Sequence, residues 1–243
     1  MSNGNPVSTL VYRAFRGDEV IVLSPETSQR MGEKGTAITV KPELPPEEAI
    51  NKIFEFRHNK AKENALKLLP YPDCDEEILC LYDHIGQCIL FDMPGAAITF
   101  CGILIEYALK RATFISETSN RVEFDSQKWE EFEKITLKPA IKRARKAGLI
   151  DDNEAEKLRE FTDEVRNPYA HFNLQKITKG MVFGNAVEMN LKTGQAEDVD
   201  IPVSRSPVYM ALAKENVDTK SVATVFSFCD KIVRSLWVQL PAR

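Results

Sequence analysis

The segment over residues 96–113 constrains this chain more than any other. Its opening stretch, Ala96-Ala97-Ile98-Thr99-Phe100-Cys101-Gly102-Ile103-Leu104-Ile105, carries no charge, and Asp92, Pro94 and Glu106 bracket it. The run is too short to span a bilayer, which takes about 20 apolar residues. It predicts instead a central helix buried on most sides, against which amphipathic elements must pack. Glu106, an acid just past the apolar run, reads as a partner for a nearby base or a solvated residue rather than a catalytic group.

The flanking sequence supplies such elements. Over residues 76–90, Ile78, Leu79, Tyr82, Ile85 and Ile89 recur at helical spacing, and Asp92-Met93-Pro94-Gly95 closes the run. Helices are also predicted over 127–135 and 137–147, the second ended by Gly148. Asp151-Asp152-Asn153-Glu154 opens the next with acids in its first turn, where the helix dipole favours them. Ala155, Leu158, Phe161, Thr162 and Val165 form its apolar stripe. A closing helix spans 221–240, with Val222, Phe226, Cys229, Val233, Leu236 and Leu240 on one face. Before the central segment, Pro45-Pro46-Glu47-Glu48 is a helix entrance, and Pro70-Tyr71-Pro72 stops the run that follows.

Two stretches differ in period. Val187, Met189 and Leu191 alternate with polar residues, Lys192-Thr193-Gly194-Gln195 makes a turn, and Val199, Ile201 and Val203 alternate again. This predicts a β-hairpin over about 181–203, inserted between helices. Residues 19–23 and 36–40 read as short strands, forming either a small sheet or an arm on the main body. The predicted fold is therefore mainly α, a helical bundle over 94–243 with an inserted β-hairpin, preceded by a mixed N-terminal extension over 1–93.

Composition narrows the function classes. The 243 residues are 43% hydrophobic and 28% charged, values of an ordinary folded protein. A formal net charge of −4 argues against a uniformly basic nucleic-acid binder and leaves room for a local basic patch. The five cysteines are odd in number and contain no Cys-x-x-Cys pair, and no signal peptide is recognisable. Those features predict a reduced, cytoplasmic protein whose cysteines are buried as small apolar groups. There is no Gly-rich phosphate loop, dinucleotide fingerprint or His-Glu-x-x-His, and His58, His84 and His171 are not spaced as metal ligands on one helix. No metal, cofactor or membrane is predicted.

The chemistry-bearing stretch is Arg166-Asn167-Pro168-Tyr169-Ala170-His171. On an unbroken helix a five-residue step turns the side chain by about 140°, so Arg166 and His171 would diverge. Pro168 predicts a break: Arg166 ends one helix, Asn167 caps the next, and His171 lies in its first turn. A guanidinium, an imidazole and a positive helix terminus would then meet around one phosphate. Upstream, Lys138, Lys142, Arg143, Arg145 and Lys146 crowd one short helix. They are either a solvated face or an electrostatic guide for a polyanion.

This arrangement resembles the HEPN superfamily (higher eukaryotes and prokaryotes nucleotide-binding), in the branch whose motif reads Arg-Asn-x-x-x-His. The resemblance spans roughly residues 94–240 and rests on the apolar first helix, the helix leading into the motif and the long closing helix. It implies a metal-independent endoribonuclease, a hydrolase acting as a homodimer on single-stranded RNA. Arg166, His171 and Asn167 would be the catalytic residues, with Glu106 and Tyr169 in support and the five basic residues binding RNA. An imidazole titrates near neutral pH, so His171 would move a proton at the ribose 2′-OH or the leaving oxygen. Arg166 would hold the nonbridging oxygens. Attack by the 2′-OH would leave a 2′,3′-cyclic phosphate. Asn173 stands where some relatives carry a tyrosine modified by a partner enzyme, which argues against that modification here. A toxin–antitoxin or antiphage defence setting, with an antitoxin or other regulatory partner, belongs to the same resemblance. Two alternatives stay open. A HEPN module could bind RNA or nucleotide, or only dimerise, without cutting. With no site at all, Arg166 would pair with Glu164 or Asp163 while His171 satisfied a local backbone group.

Overall fold

A computed structural model of the chain describes residues 46–118, 124–189 and 196–240. The predicted strands over 19–23 and 36–40 lie outside the described residues. The chain divides into two compact units at Leu66/Lys67. In the first, α1 (Pro46–Asn64) begins with Glu47 and Glu48 in its first turn and carries the Glu48–Lys52 and Lys60–Glu63 ion pairs on its surface.

The second unit is a helical bundle built on α3 (Pro94–Thr118). Eight consecutive residues, Ala108 through Ile115, are buried, so this helix has no solvent face over two turns. Helices α2 (Glu76–Leu90) and α9 (Pro207–Val238) make the most extensive packing against it. Predicted stripe residues Ile78, Tyr82, Ile85 and Ile89 of α2 and Val222, Phe226, Cys229, Val233 and Leu236 of α9 are all buried. Between them run α4 (Ser126–Glu133), α5 (Leu137–Lys146) and α6 (Asp152–Phe161). Trp129 and Phe132 of α4 pack edge-on against Phe114 of α3 at 5.4 and 5.7 Å. A capping box starts α6: the Asp151 carboxylate accepts from the Glu154 N–H, and Glu154 accepts from the Asp151 N–H.

Two charges inside the buried run of α3 are paired. Arg111 lies 3.3 Å from Asp75, and Lys110 donates to Glu106 at 3.0 Å. Burial without such partners would cost several kcal/mol per ion. Cys74, Cys88, Cys101 and Cys229 are buried as free thiols and Cys80 is exposed. Burial pushes the Cys229 thiol up.

The hairpin pairs β1 (Val182–Met189) with β2 (Ala196–Pro202), antiparallel, with a register shift between Phe183 and Ala186. The predicted turn over 192–195 lies outside the described residues. Phe183 meets Tyr209 edge-on at 5.4 Å, beside a small second core of Val203, Met210 and Ala213. Helix α9 starts at Pro207, fourteen residues ahead of the predicted 221. Ser206 caps it, accepting from the Val208 N–H, and Pro207 takes the first helical position. No helix among the described residues is long and apolar enough to cross a membrane.

Candidate functional site

The predicted break at Asn167-Pro168 is not there. After α6 the chain widens into a π-helical turn, Thr162–Arg166, and continues as the short helix α7 (Asn167–Ala170). Asn167 has helical dihedrals, φ −68° and ψ −44°, and its N–H donates to the Thr162 carbonyl, five residues back. A proline inside an α-helix clashes with the carbonyl four residues before it and leaves that carbonyl unpaired. The wider turn ahead of buried Pro168 relieves that clash without ending the helix.

Three expectations are corrected with it. Asn167 is not a cap; its side-chain oxygen accepts from Arg166 Nη1 at 3.1 Å. His171 is not in a first turn. It stands at the helix's C-terminal end, with φ −104° and ψ 7°, and its N–H donates to the Asn167 carbonyl. The helix end that carries His171 is therefore the one rich in carbonyls; the four-residue helix α8 (Leu174–Ile177) follows, capped by the Asn173 side chain, which accepts from the Lys176 N–H. The backbone is helical from Arg166 through Ala170, and on ideal helix geometry the five-residue step to His171 turns the side chain by about 140°.

Arg166 crosses α3. Its Nη2 donates to Glu106 Oε2 at 2.7 Å, and its side chain lies over Gly102, where a Cβ would sit 3.0 Å from Arg166 Cγ. The other oxygen of Glu106 holds Lys110 at 3.0 Å. One carboxylate thus serves two cations, and the cluster of Arg166, Glu106 and Lys110 keeps a net positive charge. Arg166 retains 27% of its side-chain exposure. Its partner is Glu106, not Glu164 or Asp163; Asp163 is taken by Lys138 at 2.8 Å.

Tyr169 turns to another neighbour. Its hydroxyl donates to Asp218 Oδ1 of α9 at 2.5 Å, and burial first, then that bond, pushes the phenol up. Asp218 also pairs with Lys214, whose ammonium sits 4.9 Å from the Tyr169 ring. Gly95, in the first turn of α3, makes room for this pair: a Cβ there would lie 2.5 Å from Asp218 Oδ2 and 2.9 Å from Lys214 Nζ. Tyr169 therefore ties α7 to α9. His171 is exposed, and among the described residues no hydrogen bond or ion pair joins it to Arg166, Glu106 or Tyr169.

The basic helix α5 is partly committed. Arg143 grips Glu117 through two hydrogen bonds, at 2.7 and 2.6 Å, and lies 3.9 Å above the Phe132 ring. Those bonds hold the Glu117 carboxyl below the usual carboxylate range and push the Arg143 guanidinium up. Arg145 pairs with Asp152, and Lys138 with Asp163. Lys142 and Lys146 are exposed and line a surface depression with Glu117, Pro139, Arg143 and Ala147.

Where α7 ends, the chain makes the turn that usually requires glycine. The Asn173 N–H donates to the Pro168 carbonyl at 2.8 Å and the Phe172 N–H to the Tyr169 carbonyl at 3.2 Å, a Schellman closure. The residue in its left-handed position is Phe172, at φ 49°. Two other helices end in the same hydrogen-bond pattern, with Gly148 (φ 75°) after α5 and Asp92 (φ 58°) after α2. Those two residue types tolerate the conformation; a phenylalanine there costs roughly 1–2 kcal/mol.

Gly102, Tyr169's partner Asp218, Lys214 and Phe172 were not singled out by sequence reasoning. Gly102 had a signal. It lies four residues before Glu106, on the same helical face, in a position where alanine would favour the helix by up to about 1 kcal/mol. The other three carry none, because pairing between distant helices leaves no local pattern.

His58 lies on α1, and His84 stacks on Phe100 at 5.5 Å. Among the described residues no three His, Cys, Asp or Glu side chains are grouped as metal ligands. Compared with protein-family models, curated proteins and solved structures, the chain matches none.

Proposed function

We propose that this protein is a metal-independent endoribonuclease of HEPN type, acting on single-stranded RNA as a homodimer. The observation that carries the reading is the anchoring of Arg166. A π turn, a glycine on α3 and hydrogen bonds donated to Glu106 and Asn167 fix a guanidinium that remains partly open to solvent. Such turns are frequent at functional sites. A fixed fork of N–H donors suits the nonbridging oxygens of a phosphodiester.

In this reading His171 supplies the proton transfer that cleavage needs, its exposed imidazole at the helix end reaching the 2′-OH or the leaving oxygen. Within one chain Arg166 and His171 leave the helix in different directions. Completion of the site is therefore assigned to a second copy, which would bring two Arg166/His171 sets to one cleft across a two-fold axis. Lys142 and Lys146 would hold the flanking backbone.

One observation favours a second reading, an RNA-binding module that does not cut. Arg166 already shares Glu106 with Lys110, so a bound phosphate would compete with a carboxylate. The two readings separate in one experiment, cleavage and binding of single-stranded RNA in EDTA by wild type, His171→Ala and Arg166→Ala. The nuclease reading expects His171→Ala to lose at least about a hundredfold in rate and keep its RNA affinity. Arg166→Ala is expected to lose both. Wild-type binding without cleavage would establish the module instead.

A further inference from the structure

We infer that Phe172 is a stacking platform for a nucleobase of single-stranded RNA, placed beside His171 at the end of the motif helix; this rests on the RNA reading proposed above. Three observations point to it. Phe172 occupies the left-handed position of a Schellman closure, which Gly148 and Asp92 fill at the two other closures of this kind among the described residues. A bulky residue at positive φ is a genuine outlier, and such strain collects at functional sites. The ring also gains little from folding, being 65% exposed and part of neither apolar core.

The third observation is the surroundings. Lys214 Nζ lies 5.6 Å from the Phe172 ring and 4.9 Å from the Tyr169 ring, and it is anchored by Asp218. An aromatic face backed by a fixed ammonium is the pairing that single-strand binders use, the ring for a base and the cation for the backbone. A base stacked on Phe172 brings its flanking phosphate to the neighbourhood of the adjacent residue, His171. Every base has a π face, so the platform takes single strands without reading their sequence.

Strain makes the proposal testable without damaging the fold. Phe172→Gly places the residue that the turn favours, so its thermal midpoint should equal or exceed that of wild type. The probe is a short fluorescent oligoadenylate, titrated against the full chain by anisotropy. Phe172→Gly and Phe172→Leu should each bind about five- to a hundredfold more weakly, and Phe172→Tyr should bind as wild type does. A fully abasic ribose-phosphate oligomer of the same length should bind equally weakly to wild type and Phe172→Gly. Unchanged affinity in Phe172→Gly or Phe172→Leu overturns the proposal. So does a lowered midpoint in Phe172→Gly, which would mean the ring serves the fold. Failure of the RNA reading looks different: the wild type itself would not bind the oligonucleotide.

Discussion

Arg166 and Glu106, sixty residues apart, meet at 2.7 Å across the π turn and the central helix. The contact converts a local sequence motif into a tertiary one, because Glu106 also pairs with buried Lys110. Replacing Glu106 by Gln should therefore destabilise the fold by about 2 kcal/mol, leaving two cations close together with no carboxylate. A double-mutant cycle with Arg166→Gln in urea should return a coupling on the order of 1 kcal/mol. A coupling near zero would mean that the pair is not formed in solution.

A second expectation concerns acid stability. Arg143 holds the Glu117 carboxyl below its unfolded value through two hydrogen bonds. A depressed folded pKa contributes stability above the unfolded value, about 4.3, and that contribution is lost as pH falls through the folded one. Wild type should therefore melt above Glu117→Gln at neutral pH. The gap should begin to close below about pH 4.5 and vanish in stronger acid. Thermal melts of both proteins across that range check the sign.

The basic residues of α5 should separate into two groups. Reversing Lys142 and Lys146 to Glu should leave stability nearly unchanged, since both are exposed and line an open depression. It should weaken RNA binding and lower the slope of log affinity against log salt by about 0.7 per lost phosphate contact. Arg143→Glu should instead lower the thermal midpoint, because it sets two acids together and strips the cover from Phe132. Equal behaviour of the two groups would contradict this division.

Gly95 offers a test of the link between the motif and the closing helix. An alanine there would push into Asp218 and Lys214, both nearly buried, and so disturb the hydrogen bond to Tyr169. Gly95→Ala should cost about 1–3 kcal/mol despite the better helix propensity of alanine. Urea unfolding at neutral pH measures it.

Most of the helical scaffold was legible in the sequence because apolar spacing is a local signal. The stripe on α2 and that on the C-terminal half of α9 lie where the 3.6-residue period placed them. The first half of α9 was missed for a physical reason. Its core is small, only Met210 and Ala213 among fully buried apolar residues, and buried Asp218 interrupts the apolar rhythm. Ser206-Pro207 marked the true start. At the site, Pro168 was legible as a perturbation and misread as an end. The π turn upstream accommodates Pro168 and seats Arg166 over Gly102 of α3, and apolar spacing does not encode the choice between a break and a widened turn. Glu106 was legible only as either a partner for a base or a solvated acid, and its pairing with both Lys110 and Arg166 came from the tertiary fold.

The central claim is tested most directly by the chemistry of the product ends. Full-length protein, in EDTA at about neutral pH, is incubated with a single-stranded oligoribonucleotide and with the same oligonucleotide carrying one 2′-deoxy residue at the mapped cleavage position. The account predicts cleavage of the first to a 2′,3′-cyclic phosphate and a 5′-hydroxyl, none at the substituted position of the second, and loss of the reaction in His171→Ala. Products ending in a 5′-phosphate, cleavage unaffected by the 2′-deoxy substitution, or binding without any cleavage would contradict it.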